Sequence, residues 1–325
     1  MSSLKFGIIG SGSIAKKHIH LIKKKYPSSQ IYILLHKKKI KSKFKLNFFF
    51  KEKIFFQNNF DFIFICNPAT RHVEYVKKCI HYKFKNIFVE KPLSANLSEA
   101  KKFMSNYFFK DYQLFVGYVL LFNNIFVKSL ELLNKKKLGK IISANVVCNS
   151  NFKKWRKSRD FSSSVSARKN LGGGVLNELS HELSYALKLF GPIDQIYSKL
   201  SYDKNKKINV ETKAKIICIT KKNVNLGFFL DFTNKKEERY CKIIGTKGIL
   251  LLDFKNMVLL FNDKKILDIS KKNKEKMYLD QLNYFIKNYK KKYQFNDNLI
   301  NAFEVVKLID IIKLSNNKNK IMRMI

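Results

Sequence analysis

The first chemistry in the chain sits in residues 5–15. The apolar run Phe6, Ile8, Ile9 is followed by Gly10-Ser11-Gly12-Ser13-Ile14-Ala15 and then by a helical pattern. Strand, glycine turn and helix in that order suit the pyrophosphate of a dinucleotide. Gly10 permits the tight turn, Gly12 lets the backbone approach the phosphates, and Ala15 lets helix and strand pack closely. The backbone N–H groups of Ser11, Ser13 and Ile14 would then face the anion at the helix N-terminus. An ordinary βα turn is the competing reading of this segment. A second feature is an absence. The next apolar run ends in Leu34-Leu35-His36-Lys37, and no Asp or Glu precedes Glu52. The acid that ordinarily accepts from the adenosine ribose 2′-OH is therefore missing. His36 and Lys37 are placed to meet a 2′-phosphate instead, unless they are two more surface cations, and the balance leans toward NADP over NAD. A third cluster lies in 151–171, where Trp155, Arg156, Arg159, Asp160 and Arg168 precede three consecutive glycines. Arginine forks suit phosphate or carboxylate, and a tryptophan ring can stack on a base or sugar face. A polar lid with a tucked-in Trp would read the same way.

Elements that could position these groups alternate over the first 120 residues. The pattern predicts helices over 14–25, 70–82 (with Thr70 as N-cap) and 94–107, and strands over 30–35, 61–66, 86–89 and 114–117. Repeated βα units with apolar strands imply a parallel sheet with helices on both faces. The pattern then changes to strands over 141–148, 214–220, 225–232, 240–244, 249–253 and 258–261, separated by turn signals, which predicts antiparallel order. Helical stretches at 275–289 and 298–314 close the chain. The expected architecture is an α/β dinucleotide-binding domain over 1–119 and an α+β domain over 120–297 built on one open antiparallel sheet.

Composition narrows the partners. The formal charge of +41 suggests nucleic acid or an anionic membrane at first sight. Only six of the 65 basic residues are Arg, however, and the lysines are spread through the chain with Asn, Ile and Phe. Solvated lysine faces explain this better, and no nucleic-acid-binding signature is present. Five cysteines form no C-x-x-C pair, which fits reduced thiols in the cytoplasm. No signal peptide and no apolar stretch of transmembrane length is apparent, so neither a membrane nor a nucleic acid is an expected partner, and no metal-binding cluster is expected.

Several segments together resemble the Gfo/Idh/MocA oxidoreductases, the glucose–fructose oxidoreductase and inositol dehydrogenase group. They are Gly10-Ser-Gly12-Ser-Ile-Ala15-Lys-Lys-His18, Asn67-Pro68 with His72, Glu90-Lys91-Pro92, Val116-Gly117-Tyr118, Leu138-Gly139-Lys140-Ile141, Gly172-Gly173-Gly174 leading to His181, and Gly245-Thr246-Lys247-Gly248. The resemblance implies an N-terminal Rossmann domain, an open-faced C-terminal sheet, a last helix over 298–314 that packs back on the first domain, and a homodimer or homotetramer. It also implies a nicotinamide dinucleotide held by the glycine turn together with Asn67, Pro68, His72, Glu90 and Lys91.

The same resemblance makes Lys91 the catalytic lysine, holding a substrate oxygen, with a following proline that is often cis. It makes His181 the general acid/base, a role its near-neutral ordinary pKa suits. An acid three residues before this histidine matches Glu178; Asn177 occupies the alternative position four before. Substrate contacts are expected from Lys91, Tyr118, Trp155, Arg156, Arg168, Asn177 and His181. The Trp-Arg…Gly-Gly-Gly arrangement looks like a branch linked to surface polysaccharides, so the expected substrate is a sugar or nucleotide-sugar undergoing hydroxyl/keto exchange. A free polyol, or a non-catalytic cofactor-binding regulator, is the alternative. The chain departs from the family pattern at Val119, Leu121 and Ser184, where Asn, Arg and Asp are frequent.

Overall fold

Short apolar segments build the first sheet. It contains β1 (Lys5–Ile9), β2 (Gln30–Leu34), β3 (Asn47–Phe49), β4 (Phe62–Ile65), β5 (Asn86–Val89) and β6 (Gln113–Val116) in a computed structural model. The structure describes residues 3–35, 41–106, 112–151, 161–203, 208–270, 275–291 and 294–324. His36, Lys37, Trp155 and Arg156 lie outside the described residues. The six strands run in the order β3-β2-β1-β4-β5-β6, and every neighbouring pair is parallel. The order reverses between β1 and β4, so the carboxyl ends of these strands open a crevice at the switch point.

Phenylalanine fills this half of the core. Phe6 stacks on Phe62 at 5.5 Å and Phe64 on Phe88 at 4.8 Å. Phe285, from the helix Glu275–Asn288, meets Phe64, Phe88 and Phe115 at 5.8, 5.5 and 5.8 Å. One compact unit therefore combines Met1–Tyr118 with Tyr278–Phe303; the other combines Val119–Met277 with Glu304–Ile325. The last long helix, expected over 298–314, spans Asn296–Lys318. In the first unit its Asn298 amide takes the place of a seventh strand at the edge of β6. Its Oδ1 accepts from Val116 N–H at 2.7 Å and its Nδ2 donates to Val116 O at 3.0 Å.

The second sheet comprises β7 (Ile141–Asn149), β8 (Ile193–Tyr202), β9 (Glu211–Thr220), β10 (Asn225–Asp231), β11 (Glu238–Gly245), β12 (Gly248–Asp253), β13 (Val258–Phe261), β14 (Lys264–Asp268) and β15 (Met322–Arg323). Their order is β14-β13-β12-β11-β7-β10-β9-β8-β15. The expectation of wholly antiparallel order needs one correction, because β7 and β10 are parallel. Between β7 and β8 the chain makes a helical crossover, which returns the next strand in the same direction; two hairpins then bring β10 back beside β7. Alternation along the strands gives two unlike faces. Ile216, Cys218, Phe228, Val146 and Cys241 are buried on one, while Ile217, Phe229, Val147 and Tyr240 are at least partly exposed on the other. No helix among the described residues is long and apolar enough to cross a membrane.

Local starts differ from expectation in two places. Thr70 falls in a 3₁₀ turn, Ala69–Arg71, and makes no cap for the helix His72–His81. The helix expected from residue 94 begins at Leu97 instead, with Asn96 Oδ1 accepting from Glu99 N–H at 3.1 Å. Asn298→Ala should strip two hydrogen bonds from the backbone of β6 and lower stability by about 1–3 kcal/mol. Urea unfolding monitored by circular dichroism would measure it.

Candidate functional site

Four strand ends meet around the crevice of the first unit. At the end of β1, Gly10 takes φ +111°, a left-handed conformation that glycine adopts readily, and a Cβ there would lie 2.8 Å from Cys66 O. Gly10 N–H is bonded to Leu34 O at 3.1 Å, so the turn is fixed against β2 as well. Gly12 is extended, with φ −67° and ψ −179°, and serves as N-cap of the helix Ser13–Lys25 without a side-chain cap. A Cβ built on Gly12 would meet nothing within 4 Å. The space it leaves is open to a ligand, and no acid occupies the first helical turn. Ala15 is fully buried, as close helix–strand packing requires.

At the end of β4, both polar atoms of the Asn67 side chain are buried without a hydrogen-bond partner among the described residues. An orphaned amide beside a glycine turn and an uncapped helix N-terminus fits a dinucleotide, whose phosphates and ribose would supply the missing partners. Gly10, Ser11, Gly12, Ser13, Ile14 and Asn67 are thus the residues suited to hold the group.

Two histidines brace this frame from inside. His18 is 2% exposed, and its Nε2 lies 2.6 Å from Glu90 Oε1, tying the first helix to the end of β5. Glu90 Oε2 also accepts from Lys91 N–H at 3.3 Å. His72 is 1% exposed, with Nδ1 2.7 Å from Pro92 O and Nε2 2.9 Å from Asn67 O. Only a ring protonated on both nitrogens could donate to both carbonyls. Burial lowers its pKa, opposing the two carbonyls, which favour the charged form. The Lys91–Pro92 peptide is cis. Burial, and after it the charge of Glu90, pushes the Cys66 thiol far up. Tyr118, at the end of β6, is buried. The structure therefore gathers Gly10, Gly12, Asn67, Pro68, His72, Glu90, Lys91 and Tyr118 into one unit, with His72 and Glu90 turned into its frame.

The second unit gathers the rest. The triple glycine has two positive φ values, +78° at Gly172 and +111° at Gly174. A Cβ on Gly173 would lie 2.4 Å from Val165 O, so only glycine lets the segment 161–171 lie against the turn. Arg168 belongs to that segment; its Nε lies 3.3 Å from Ser162 O, and its own carbonyl accepts from Gly173 N–H at 3.0 Å. Asn177 donates from Nδ2 to Gly172 O and Gly173 O at 3.1 and 3.3 Å. Ser166 Oγ donates to Glu178 Oε1 at 2.8 Å. Instead of one continuous helix, Val175–Glu178 and Ser180–Phe190 are separated at Leu179. Glu178 and His181 consequently stand on either side of a break, so their i, i+3 spacing does not place them on one helix face.

Sequence reasoning missed Glu211 and Ser166. Glu211 is buried under the glycine turn, where a Gly174 Cβ would come within 2.3 Å of its Oε1. Burial pushes its carboxyl up, against the pull of Lys313 and Lys169. An acid opening a β-strand gave no local signal of this contact.

Comparison with known proteins matches both units. The model of the oxidoreductase family with NAD-binding Rossmann fold covers residues 4–118, and that of the GFO/IDH/MocA C-terminal domain covers 126–251. Oxidoreductase P35 of Formosa agariphila is 22% identical over 202 residues, covering 59% of each chain, so the match spans less than two thirds of that relative. Among solved structures, myo-inositol 2-dehydrogenase from Lactobacillus plantarum superposes with TM-score 0.81 at 14% identity, covering 100% of both chains. The WlbA dehydrogenase from Bordetella pertussis, in complex with NADH and UDP-GlcNAcA, superposes with TM-score 0.78 at 14% identity, covering 99% of this chain and 98% of its own.

Gly10→Ala should force a side chain into a left-handed position and against Cys66 O, at a cost of about 1–3 kcal/mol. It should also weaken dinucleotide binding, which calorimetric titration alongside thermal unfolding would separate from the stability loss.

Proposed function

Because the chain belongs to the Gfo/Idh/MocA oxidoreductase family, an NAD-binding enzyme family, we propose that it interconverts a hydroxyl and a keto group on a sugar or nucleotide-sugar. The observation that carries this reading is the unsatisfied Asn67 amide beside the Gly10 turn, with Lys91 at the end of a nearby strand of the same sheet. When bound, the nicotinamide supplies the two-electron acceptor or donor for the substrate carbon. The residues of the chain handle the proton and the oxygen. Lys91 holds the substrate oxygen and stabilises negative charge as the hydroxyl proton leaves. His181 takes that proton in oxidation and returns it in reduction. Glu178, held by Ser166, is the acid assigned to tune or orient that exchange. His72 and Glu90 support the cofactor site through the backbone they brace. Trp155, Arg156, Arg168 and Tyr118 complete the substrate contacts in this reading.

A nucleotide-sugar is favoured over a free polyol by the three arginines in residues 151–171. A diphosphate offers them bidentate acceptors, whereas a polyol does not. The nucleotide-sugar in the WlbA complex agrees with that choice. In this reading the enzyme serves the supply of activated sugars for surface polysaccharide. The absent acid after β2, with His36 and Lys37, favours NADP. A purely regulatory role rests on Val119, Leu121 and Ser184. Val119 and Ser184 are buried in the core, so their identity reports packing before it reports chemistry. The five cysteines are buried free thiols, compatible with a reducing cytoplasm.

The half-exposed face of the second sheet supports a homodimer or homotetramer. Ile217, 65% exposed, stands on the same face as Phe229, Val147 and Tyr240. Ile217→Glu should shift the mass measured by light scattering toward the monomer.

Nicotinamide fluorescence titrations with NADH and NADPH should show binding of both, tighter for NADPH. Binding of neither, in protein freed of nucleotide, overturns the reading. Turnover compared between nucleotide-sugars and free polyols assigns the substrate class. His181→Ala should lower kcat about 100-fold or more with cofactor affinity little changed; full turnover by that variant removes His181 from the mechanism.

A further inference from the structure

We propose that Glu182, through Arg239, positions the histidine that precedes it. The proposal rests on the reading of His181 as the proton-exchanging group. Glu182 follows His181 in the first turn of the helix Ser180–Phe190 and is fully buried. Its Oε1 accepts from Arg239 Nε at 2.7 Å, and the Arg239 side chain is 30% exposed. Arg239 lies on β11 directly across from Cys148 of β7. Burial, and after it the charge of Glu182, pushes the Cys148 thiol up and keeps it neutral. Burial alone would lower the pKa of Arg239, but the charge and hydrogen bond of Glu182, with Cys148 and Tyr185 nearby, together raise it. The pair is a charge-assisted hydrogen bond whose acceptor is fully buried.

The position explains what such a bond can do. The helix starts only at Ser180, after the break at Leu179, and has no side-chain cap. A first turn without a cap is the least constrained part of a helix. Apolar packing holds a helix to a sheet but fixes its rotation weakly, whereas a directional bond to a strand fixes the angle about the axis. Consecutive side chains leave a helix about 100° apart. Anchoring Glu182 inward therefore fixes the direction in which His181 leaves the helix. The other end of the bond is equally fixed, since Arg239 O accepts from Phe254 N–H at 2.9 Å and Lys255 N–H at 3.2 Å. One helical turn after Glu182, Tyr185 packs on Phe254 at 5.3 Å between ring centres, so the same segment of sheet receives both side chains. A trace of this was present in the sequence. Tyr185 and Ala186, three and four after Glu182, are apolar or aromatic and buried, so the acid sits on the buried face of its helix.

The test compares Glu182→Gln, Arg239→Met and the double variant Glu182→Leu/Arg239→Met with wild type and His181→Ala. Each single variant should lose stability and lower kcat about 10- to 100-fold, with KM and dinucleotide Kd little changed, as a misaimed catalytic group predicts. The double variant removes both charges, so its Tm should return toward wild type while kcat stays low. A purely structural pair would instead let kcat recover with Tm, and that result overturns the proposal, as do single variants with unchanged kcat. If the wild type transfers no hydride, the proposed function fails separately. The positioning claim is then decided by the histidine side-chain NMR signals of selectively labelled protein, with His181→Ala giving the assignment. A His181 signal broadened or split in Arg239→Met and in the double variant supports it; an unchanged signal overturns it.

Discussion

A single buried contact, His18 Nε2 to Glu90 Oε1 at 2.6 Å, joins the two chemically distinct parts of the parallel-sheet unit. His18 lies one turn into the helix that follows the glycine turn, and Glu90 is the residue before Lys91. The walls around the contact are aromatic, with Phe64 and Phe88 centred 5.1 and 5.0 Å from the imidazole. Water is excluded, so a displaced partner would be left unsatisfied at about 1–3 kcal/mol. The bond consequently keeps the phosphate-facing helix and the lysine-bearing strand end in one fixed relation. His72 does the same one strand over, between Asn67 O and Pro92 O. Polar residues around the crevice are thus hydrogen-bonded behind it.

That arrangement explains which parts of the site the sequence revealed. The glycine turn was legible because its requirement is local: a positive φ and a missing Cβ are properties of Gly10 itself. The proposed roles of Lys91 and His181 rest only on the ordered set of motifs around them. Glu90 and His72 have side chains that equally suit a ligand contact, and residue type alone cannot distinguish a brace from a ligand. Burial and partner geometry make that distinction, and neither can be read from one segment of chain.

The same limit governs the fold. Except for the partly exposed β3, which the sequence pattern did not reveal, the strands of the first sheet are mainly apolar runs, as burial on both faces demands. β8 escaped recognition because Asp194, Gln195, Ser198 and Lys199 interrupt its apolar pattern. Ser198 is polar yet fully buried, and it is satisfied from a distant helix: its Oγ donates to Ile312 O at 2.6 Å and its N–H to Ser315 Oγ at 3.1 Å. The parallel β7–β10 pair depends on how many reversals separate the strands, which no local pattern encodes.

Lysine has displaced arginine almost everywhere in this chain, so each remaining arginine invites a physical reason. Lysine carries the same charge but cannot present a planar fork. Arg71 uses its fork on Glu74, with Nε and one terminal nitrogen each 2.9 Å from a carboxylate oxygen, yet that pair is more than a third exposed and solvent screens it. Arginine therefore persists at one ordinary surface pair, and persistence alone proves nothing. Arg239 differs because its carboxylate partner is fully buried, so a wrong angle there cannot be compensated by water. The arginines at 156, 159 and 168 differ again: three of six fall in 21 residues, leading directly into the glycine turn that precedes His181. A diphosphate presents several anionic oxygens, which paired guanidinium N–H groups can engage bidentately and a lysine ammonium cannot. The proposed diphosphate-bearing substrate thus follows more from what lysine cannot do than from the charge of the chain as a whole.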